Sequence, residues 1–77
     1  MRTVAAVVGP TIRNLRQSLG LQGKELAERV PMCRSYLSAI EHGHQIPSIA
    51  LLGDIASGLG MKTADLWLEI YNNMEKN

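Results

Sequence analysis

The segment Cys33 to Gly43, with the sequence CRSYLSAIEHG, carries the residue types best suited to chemistry at a surface. At about 100° per residue of an α-helix, Leu37 and Ile40 share one face. The opposite face carries small groups with one arginine at its edge: Ser35, Ala39 and His42, flanked by Arg34 and Ser38. A helix facing solvent normally carries Lys and Glu there. Small polar groups around one arginine suit close approach to a structured surface, such as the base edges of a DNA major groove.

A second short helix is predicted immediately before this segment. Gly23 to Val30 (GKELAERV) places Leu26, Ala27 and Val30 on one side. Only the three residues 31–33 separate it from the next helix. Two short helices joined by a turn of three or four residues form a helix-turn-helix.

These two helices resemble the Cro/C1-type (XRE) family of helix-turn-helix DNA-binding repressors. The resemblance rests on Leu26-Ala27, on Ser35-Tyr36-Leu37-Ser38-x-Ile40-Glu41-x-Gly43, and on Pro47-Ser48 followed by a helix rich in Ile and Leu. It covers roughly residues 9–68. It implies an all-α, lambda-repressor-like bundle of five helices, with the helix-turn-helix at about residues 22–42. It also implies a sequence-specific transcriptional regulator that binds an inverted-repeat operator in double-stranded DNA as a homodimer.

The resemblance assigns roles to individual residues. Arg34, Ser35 and Ala39 match base-contacting positions, and the Arg34 guanidinium could bridge O6 and N7 of a guanine. Because Ser and Ala offer little direct readout, DNA shape is expected to contribute. The contacts expected to the DNA backbone come from Gly23, Lys24, Tyr36, Ser38, His42 and His44. The Tyr36 ring is expected to pack against the preceding helix, with its hydroxyl reaching a phosphate. Alternatively, Arg34 is an ordinary solvated side chain and the histidines are plain loop residues.

The same resemblance implies a structural ion pair between Glu41 and Arg16, which would fix the angle between the first and third helices. Three positions depart from the family. Gln22-Gly23 replaces the usual Thr-Gln, which weakens the cap of the second helix and removes a phosphate-binding side chain. Pro31 replaces a glycine in the turn, so that turn must differ locally. Cys33 replaces a capping Ser or Thr; it could be a redox-sensing thiol, but we favour a small, half-buried residue.

Length and cysteine content limit the class of protein. At 77 residues the chain is predicted to form one domain with a small core. Cys33 is the single cysteine, which excludes a disulfide scaffold and fits a cytoplasmic protein. The apolar run Val4–Val8 is too short for a signal peptide and is expected to be broken by Gly9-Pro10. No stretch approaches membrane-spanning length.

The net charge of +1 hides an uneven distribution. Residues 1–34 carry six basic and two acidic side chains, and residues 35–77 carry two basic and five acidic ones, so the two halves are +4 and −3. The basic half contains the helices expected to meet DNA, which favours one basic face.

Five helices and no sheet are predicted. The first runs from Pro10 to Leu19 and buries Ile12, Leu15 and Leu19, with Pro10 in its first turn. Ser48 caps the fourth, which buries Ile49, Leu52, Ile55, Ala56 and Leu59. Thr63 caps the fifth, from Ala64 to about Met74. Residues 1–8 form an arm that could be frayed, helical or extended; residues 9–74 form the domain and 75–77 a tail.

The fifth helix carries two apolar faces. Leu66 and Ile70 are expected in the core, whereas Trp67, Tyr71 and Met74 form a neighbouring stripe that predicts a homodimer interface. Some regulators of this kind are phage repressors, restriction–modification controller proteins or antitoxins, so a toxin or other protein partner is possible. The alternative is a degenerate helix-turn-helix that serves as a protein-interaction module.

No cofactor, metal or enzyme activity is expected. Cys33, His42 and His44 invite a metal site, but Cys33 and His42 would lie about 13.5 Å apart along one helix, too far to share an ion. The sequence offers no nucleophile–base pair, carboxylate pair or phosphate-cradling loop.

Overall fold

The computed structural model describes residues 2–76, which fold into five α-helices and no strand. The helices are α1 (Val4–Ser18), α2 (Gly23–Arg29), α3 (Arg34–Glu41), α4 (Ile49–Gly58) and α5 (Thr63–Glu75). The predicted all-α class is confirmed. The first residue of the predicted arm and the last of the predicted tail, Met1 and Asn77, lie outside the described residues.

One hydrophobic core joins the five helices. Helix α1 packs against α3 and α5, α2 packs against α3 and α4, and α4 packs against α5. Large side chains with at most 1% exposure come from every helix: Val7, Ile12, Leu26, Leu37, Ile40, Ile55, Leu66 and Ile70. None of these helices is both long enough and apolar enough to cross a bilayer.

The first helix begins six residues earlier than predicted. Thr3 caps it, because its Oγ1 accepts a hydrogen bond from the Ala6 N–H at 3.2 Å. Val7 and Val8 are 1% and 2% exposed, so extending the helix buries two side chains worth about 1.5–3 kcal/mol each. Residues 4–8 are therefore helical, one of the three conformations that the sequence left open.

Gly9-Pro10 does not break this helix, and Pro10 lies in its interior rather than in its first turn. A proline in a helix interior cannot donate to the carbonyl four residues earlier and its ring crowds that carbonyl, and it also crowds the Cβ and N–H of the preceding residue. Because Gly9 has no Cβ, the crowding of the preceding residue is reduced. Burial of the first turns offsets the remaining cost.

Gly9 is also where α1 crosses the end of α3. A Cβ at this position would lie 2.3 Å from the Ile40 carbonyl oxygen and 2.8 Å from the Glu41 carbonyl oxygen. The two backbones are thus in direct contact, and no side chain fits between them.

Two residues predicted in the core are exposed instead. Leu19 is 54% exposed, because it follows the last residue of α1 and the left-handed Gly20 (φ 72°) turns the chain away. Ile49 is 85% exposed as the first residue of α4, one turn before the buried part of that helix begins at Leu52.

The predicted cap of α4 is confirmed, whereas the predicted cap of α5 is wrong. Ser48 caps α4 as predicted, with its Oγ 3.1 Å from the Leu51 nitrogen. The residue before α5 is Lys62 rather than Thr63, which is already helical, and α5 continues to Glu75. The predicted burial of Leu66 and Ile70 is confirmed, since both are 0% exposed.

The close approach at Gly9 predicts a large effect of one methyl group. Gly9→Ala should destabilise the fold by about 1–3 kcal/mol or more, because rigid backbone must move to admit the Cβ. Gly23→Ala is the matched control: nothing lies within 4 Å of its Cβ position, so it should stabilise by about 0.4–1 kcal/mol. Urea unfolding measures both. Equal midpoints for the two variants would contradict the backbone contact.

Candidate nucleic-acid interface

Helix α3 is fixed from one side and open on the other. Leu37 and Ile40 are 1% and 0% exposed and anchor it in the core. Arg34, Ser35 and Ser38 are exposed on its outer face. Ala39 is half-buried, and its carbonyl oxygen accepts a hydrogen bond from the His44 N–H at 2.8 Å, so the following loop folds back beside it. The three residues predicted to contact bases thus lie on one short helix, with Ala39 less accessible than the other two.

Cys33 precedes α3 without capping it. Its backbone is extended, and its side chain makes no capping hydrogen bond to the backbone of the helix. Cys33 is exposed, so the expectation of a half-buried residue is wrong. Its Sγ lies 3.2 Å from the Ser35 Oγ, and the hydrogen bond from Ser35 lowers the pKa of the thiol.

Helix α2 gains a stabilising contact that sequence reasoning missed. The Glu25 carboxylate accepts a hydrogen bond from the Gln22 backbone N–H at 2.8 Å. A Glu three residues after the cap position is the signal that could have revealed it. Lys24 is exposed beside this start, and Gly23 borders open space.

The turn between α2 and α3 needs no glycine. Val30 takes an extended conformation (φ −128°, ψ 154°), which is the conformation that a following proline favours. Its side chain is buried and its carbonyl accepts a hydrogen bond from the Met32 N–H at 2.8 Å. Pro31 therefore ends α2 by restricting the residue before it.

The two histidines follow the end of α3, whereas Tyr36 lies within it. His42 and His44 are exposed and their rings stack, with centroids 6.5 Å apart. The His42 Nδ1 lies 2.8 Å from the Ser38 carbonyl oxygen. Since a carbonyl only accepts, this nitrogen carries the proton in that contact. Tyr36 is half-buried, and it packs against the core.

Arg16 and Glu41 join α1 to α3. The Arg16 Nε lies 2.8 Å from Oε2 of Glu41, and its Nη2 lies 2.9 Å from Oε1. The side chains are 12% and 6% exposed. The hydrogen bonds to Glu41 raise the pKa of Arg16 against the opposing effect of burial. Its Nη1 donates to the Leu21 carbonyl at 2.7 Å, so the same guanidinium also holds the turn that leads to α2.

A shallow depression of about 170 Å³ lies between α1, α2 and α3. It brings Gly23, Arg34, Ser38 and His42 together with Arg13, which sequence reasoning missed. Arg13 precedes Arg16 by three residues, one helical turn, which was the signal that could have placed it on this face. Within residues 2–76, Arg16 with Glu41 is the ion pair observed, and no group of three or more His, Cys, Asp or Glu is placed to hold a metal.

Helix α5 exposes an aromatic surface. Trp67 and Tyr71 are each 47% exposed, and Leu68 is 54% exposed. Met74, the third member of the predicted stripe, is half-buried and packs partly against the core. A hydrogen bond to Glu75 raises the pKa of Tyr71.

The end of α5 is attached to α1. The Asn73 Nδ2 donates to the buried Thr11 Oγ1 at 2.7 Å. The Arg2 N–H donates to the Met74 carbonyl at 2.7 Å. The aromatic surface is therefore held in a fixed position relative to the rest of the bundle.

Comparisons with known proteins find similarity to helix-turn-helix transcriptional regulators. A helix-turn-helix family profile matches residues 12–66. An uncharacterized HTH-type transcriptional regulator of Methanothermobacter thermautotrophicus is 47% identical over 49 residues, covering 64% of this chain and 71% of its own. A second uncharacterized HTH-type transcriptional regulator, YgzD of Bacillus subtilis, is 36% identical over 62 residues, covering 79% of this chain and 94% of its own.

Solved structures share the whole fold. The clp gene regulator ClgR of Corynebacterium glutamicum superposes with a TM-score of 0.85 at 30% identity, over 94% of this chain and 77% of its own. The restriction–modification controller protein C.Esp1396I, solved as a tetramer in complex with its natural 35 base-pair operator, gives a TM-score of 0.89 at 22% identity. That match covers 99% of this chain and 100% of its own and concerns the fold alone.

Because Glu41 is paired with Arg16, removing its carboxylate should destabilise the fold more than removing an exposed carboxylate. Glu41→Ala should lower the free energy of unfolding by about 2–3 kcal/mol, somewhat less than for a fully buried pair, because Arg16 keeps its charge but loses its partner. Glu69→Ala, which removes an exposed carboxylate from α5, should change it by less than about 0.5 kcal/mol. Thermal unfolding monitored by circular dichroism tests the difference, and equal midpoints would exclude a stabilising role for the pair.

Proposed function

Because the chain belongs to the Cro/C1-type helix-turn-helix family of transcriptional regulators, we propose that it regulates transcription by occupying an inverted-repeat operator as a homodimer. The observation that carries this proposal is the outer face of α3. That face is exposed, rich in small groups and held rigidly by Leu37 and Ile40. A recognition helix needs this combination, because bulky side chains would keep its backbone out of the major groove.

Direct readout is assigned to the first turns of α3. Arg34 is exposed there and makes no ion pair with a carboxylate of residues 2–76, so its guanidinium is available to bridge O6 and N7 of a guanine. Ser35 offers a hydroxyl to a neighbouring base. Ala39, half-buried, leaves room or touches a thymine methyl. With one strong reader per half-site, part of the specificity comes from DNA shape.

The backbone contacts surround this helix. The expected contact residues are all exposed: Lys24 on α2, Ser38 on α3, and His42 and His44 after the end of α3. Gly23 lets a DNA strand approach the start of α2 without a side chain in the way. Tyr36 contributes at most its hydroxyl, since its ring packs against the core. These contacts set the position of the protein on DNA and carry little sequence information.

The homodimer is assigned to α5. Trp67 and Tyr71 expose large aromatic surfaces, and aromatic residues and Met are enriched at interface centres. Met74 supports them from the edge of the core. A two-fold pair would place two copies of α3 roughly 34 Å apart, one turn of DNA. C.Esp1396I, which shares the fold, was solved as an oligomer on its operator.

A second function is favoured by the same aromatic surface and by the low net charge of +1. In that alternative the helix-turn-helix serves as a protein-interaction module and α5 binds a different protein, such as the toxin of a toxin–antitoxin pair. A role in binding rather than catalysis, and a cytoplasmic location, accompany both proposals.

DNA binding should be mainly electrostatic in origin and specific through Arg34. For the wild type, log K should fall with log salt by about 0.9 for each phosphate contacted. Arg34→Ala should cost about 1–3 kcal/mol on a duplex chosen by binding-site selection and relax the preference at one base pair per half-site. Fluorescence anisotropy on the selected duplex and on a mixed-sequence duplex measures both.

Lys24→Ala is the control, because it removes one positive charge without touching a base. It should weaken both duplexes by the same factor. If the wild type binds neither duplex at low salt, the interaction-module function is the better one. If Arg34→Ala leaves affinity and preference unchanged, α3 does not read bases through this side chain.

The dimer should depend on the aromatic surface of α5. Tyr71→Glu should shift the protein to monomer without unfolding it, because Leu66 and Ile70 keep α5 in the core. Leu19→Glu removes a comparably exposed apolar side chain at the end of α1 and should leave the dimer intact. Sedimentation velocity at tens of micromolar compares them. A monomeric wild type, or a Tyr71→Glu variant that dimerises normally, would move the interface away from α5.

A further inference from the structure

The depression between α1, α2 and α3 contains more positive charge than its surroundings balance. Arg13, Arg16 and Arg34 line it together with Glu41. Both Glu41 oxygens accept hydrogen bonds from Arg16, so that pair is neutral as a unit. Two guanidinium groups, those of Arg13 on α1 and Arg34 on α3, remain with no carboxylate of residues 2–76 within ion-pair distance. The depression therefore attracts an anion.

The helices that form the walls of the depression are held rigidly, whereas a pair of arginines on a protein surface usually lacks such rigid support. Arg13 stands one turn after Gly9 and one turn before Arg16, between the two points where α1 is fixed to α3. Gly23 forms part of the lining without a side chain, so the depression stays open toward α2. With a volume of about 170 Å³, the open depression has room for phosphate oxygens.

We propose that Arg13 is a further DNA-binding residue, and that this depression receives one backbone phosphodiester per half-site. The inference rests on the proposed function, because it takes α3 as the helix that enters the groove. If α3 lies in the groove and Arg34 reaches the bases, Arg13 on α1 lies toward the DNA strand that borders the groove. Arg13 binds that strand, while Arg34 reads sequence.

Arg13→Gln tests this role. Arg13 is exposed and its side chain makes no hydrogen bond or ion pair within the described part of the chain, so the variant should keep the wild-type thermal midpoint. Arginine and glutamine also have similar helix propensities. The salt slope should fall by about 0.9 per half-site contacted, equally on selected and mixed duplexes. Across a fourfold change in salt, one contact accounts for roughly a 3.5-fold change in affinity.

Arg2→Gln is the matched control. It removes the same charge from a residue that precedes α1, whose first residue, Val4, lies about two and a half helical turns before Arg13, and it should leave the slope unchanged. If Arg2→Gln and Arg13→Gln lower the slope equally, the effect reflects net charge and the site is wrong. If the wild type binds no duplex at low salt, the proposed function itself fails and not this assignment alone.

A second measurement locates the phosphate. In a series of duplexes, one phosphate at a time is replaced by an uncharged methylphosphonate. The wild type should lose affinity at one position in each half-site where Arg13→Gln loses nothing further, the mark of a direct pair in a double-mutant cycle. Equal losses for both proteins at every position would overturn the assignment of Arg13.

Discussion

The contact between α1 and α3 is the constraint on which the rest of the structure depends. At Gly9 the two backbones touch without an intervening side chain, and at Arg16 and Glu41 a bidentate ion pair fixes their mutual angle. Both contacts reach the C-terminal end of α3, which is fixed there to two turns of α1, while Leu37 and Ile40 hold the helix in the core. A helix of eight residues would have little stability alone. Its rigidity is conferred by α1.

This arrangement explains why several weak local signals are tolerated. Cys33 does not cap α3, and Gln22 is a poor residue for the start of α2. The losses are offset by tertiary contacts: Leu26 and Leu37 are almost completely buried, and the Arg16 guanidinium binds the Leu21 carbonyl just before α2. Gly58 adds to this, because its missing Cβ would lie 2.9 Å from a methyl group of Val30. At α2 the hydrogen bond from the Gln22 N–H to Glu25 and close packing on α4 together compensate for the weak cap residue.

Much of the fold could be predicted because its determinants are local or periodic. The five helices, the Ser48 cap and the buried Leu66 and Ile70 follow from spacing and end signals, and family resemblance suggested the partner of Glu41. The start of α1 could not be predicted from local rules. Gly9-Pro10 has the composition of a helix break, and only the burial of Val7 and Val8 against other helices reverses that preference. The predicted burial of Leu19 and Ile49 was wrong for a similar reason. The apolar periodicity continues to the helix ends, where no neighbouring helix covers these side chains. Arg13 was missed because its significance depends on side chains from two other helices.

The position of the aromatic surface of α5 and the side chains on the outer face of α3 depend on different residues. The Asn73–Thr11 hydrogen bond fixes where the aromatic surface of α5 lies on the bundle, while the side chains on the outer face of α3 are set independently of it. In a symmetric pair, the first would determine the distance between half-sites and the second their base sequence. Descendants of such a chain could change operator spacing through α1 and α5 while retaining an ancestral half-site, or diverge in half-site at constant spacing. Duplicated regulators in one genome could then become insulated from each other by either route.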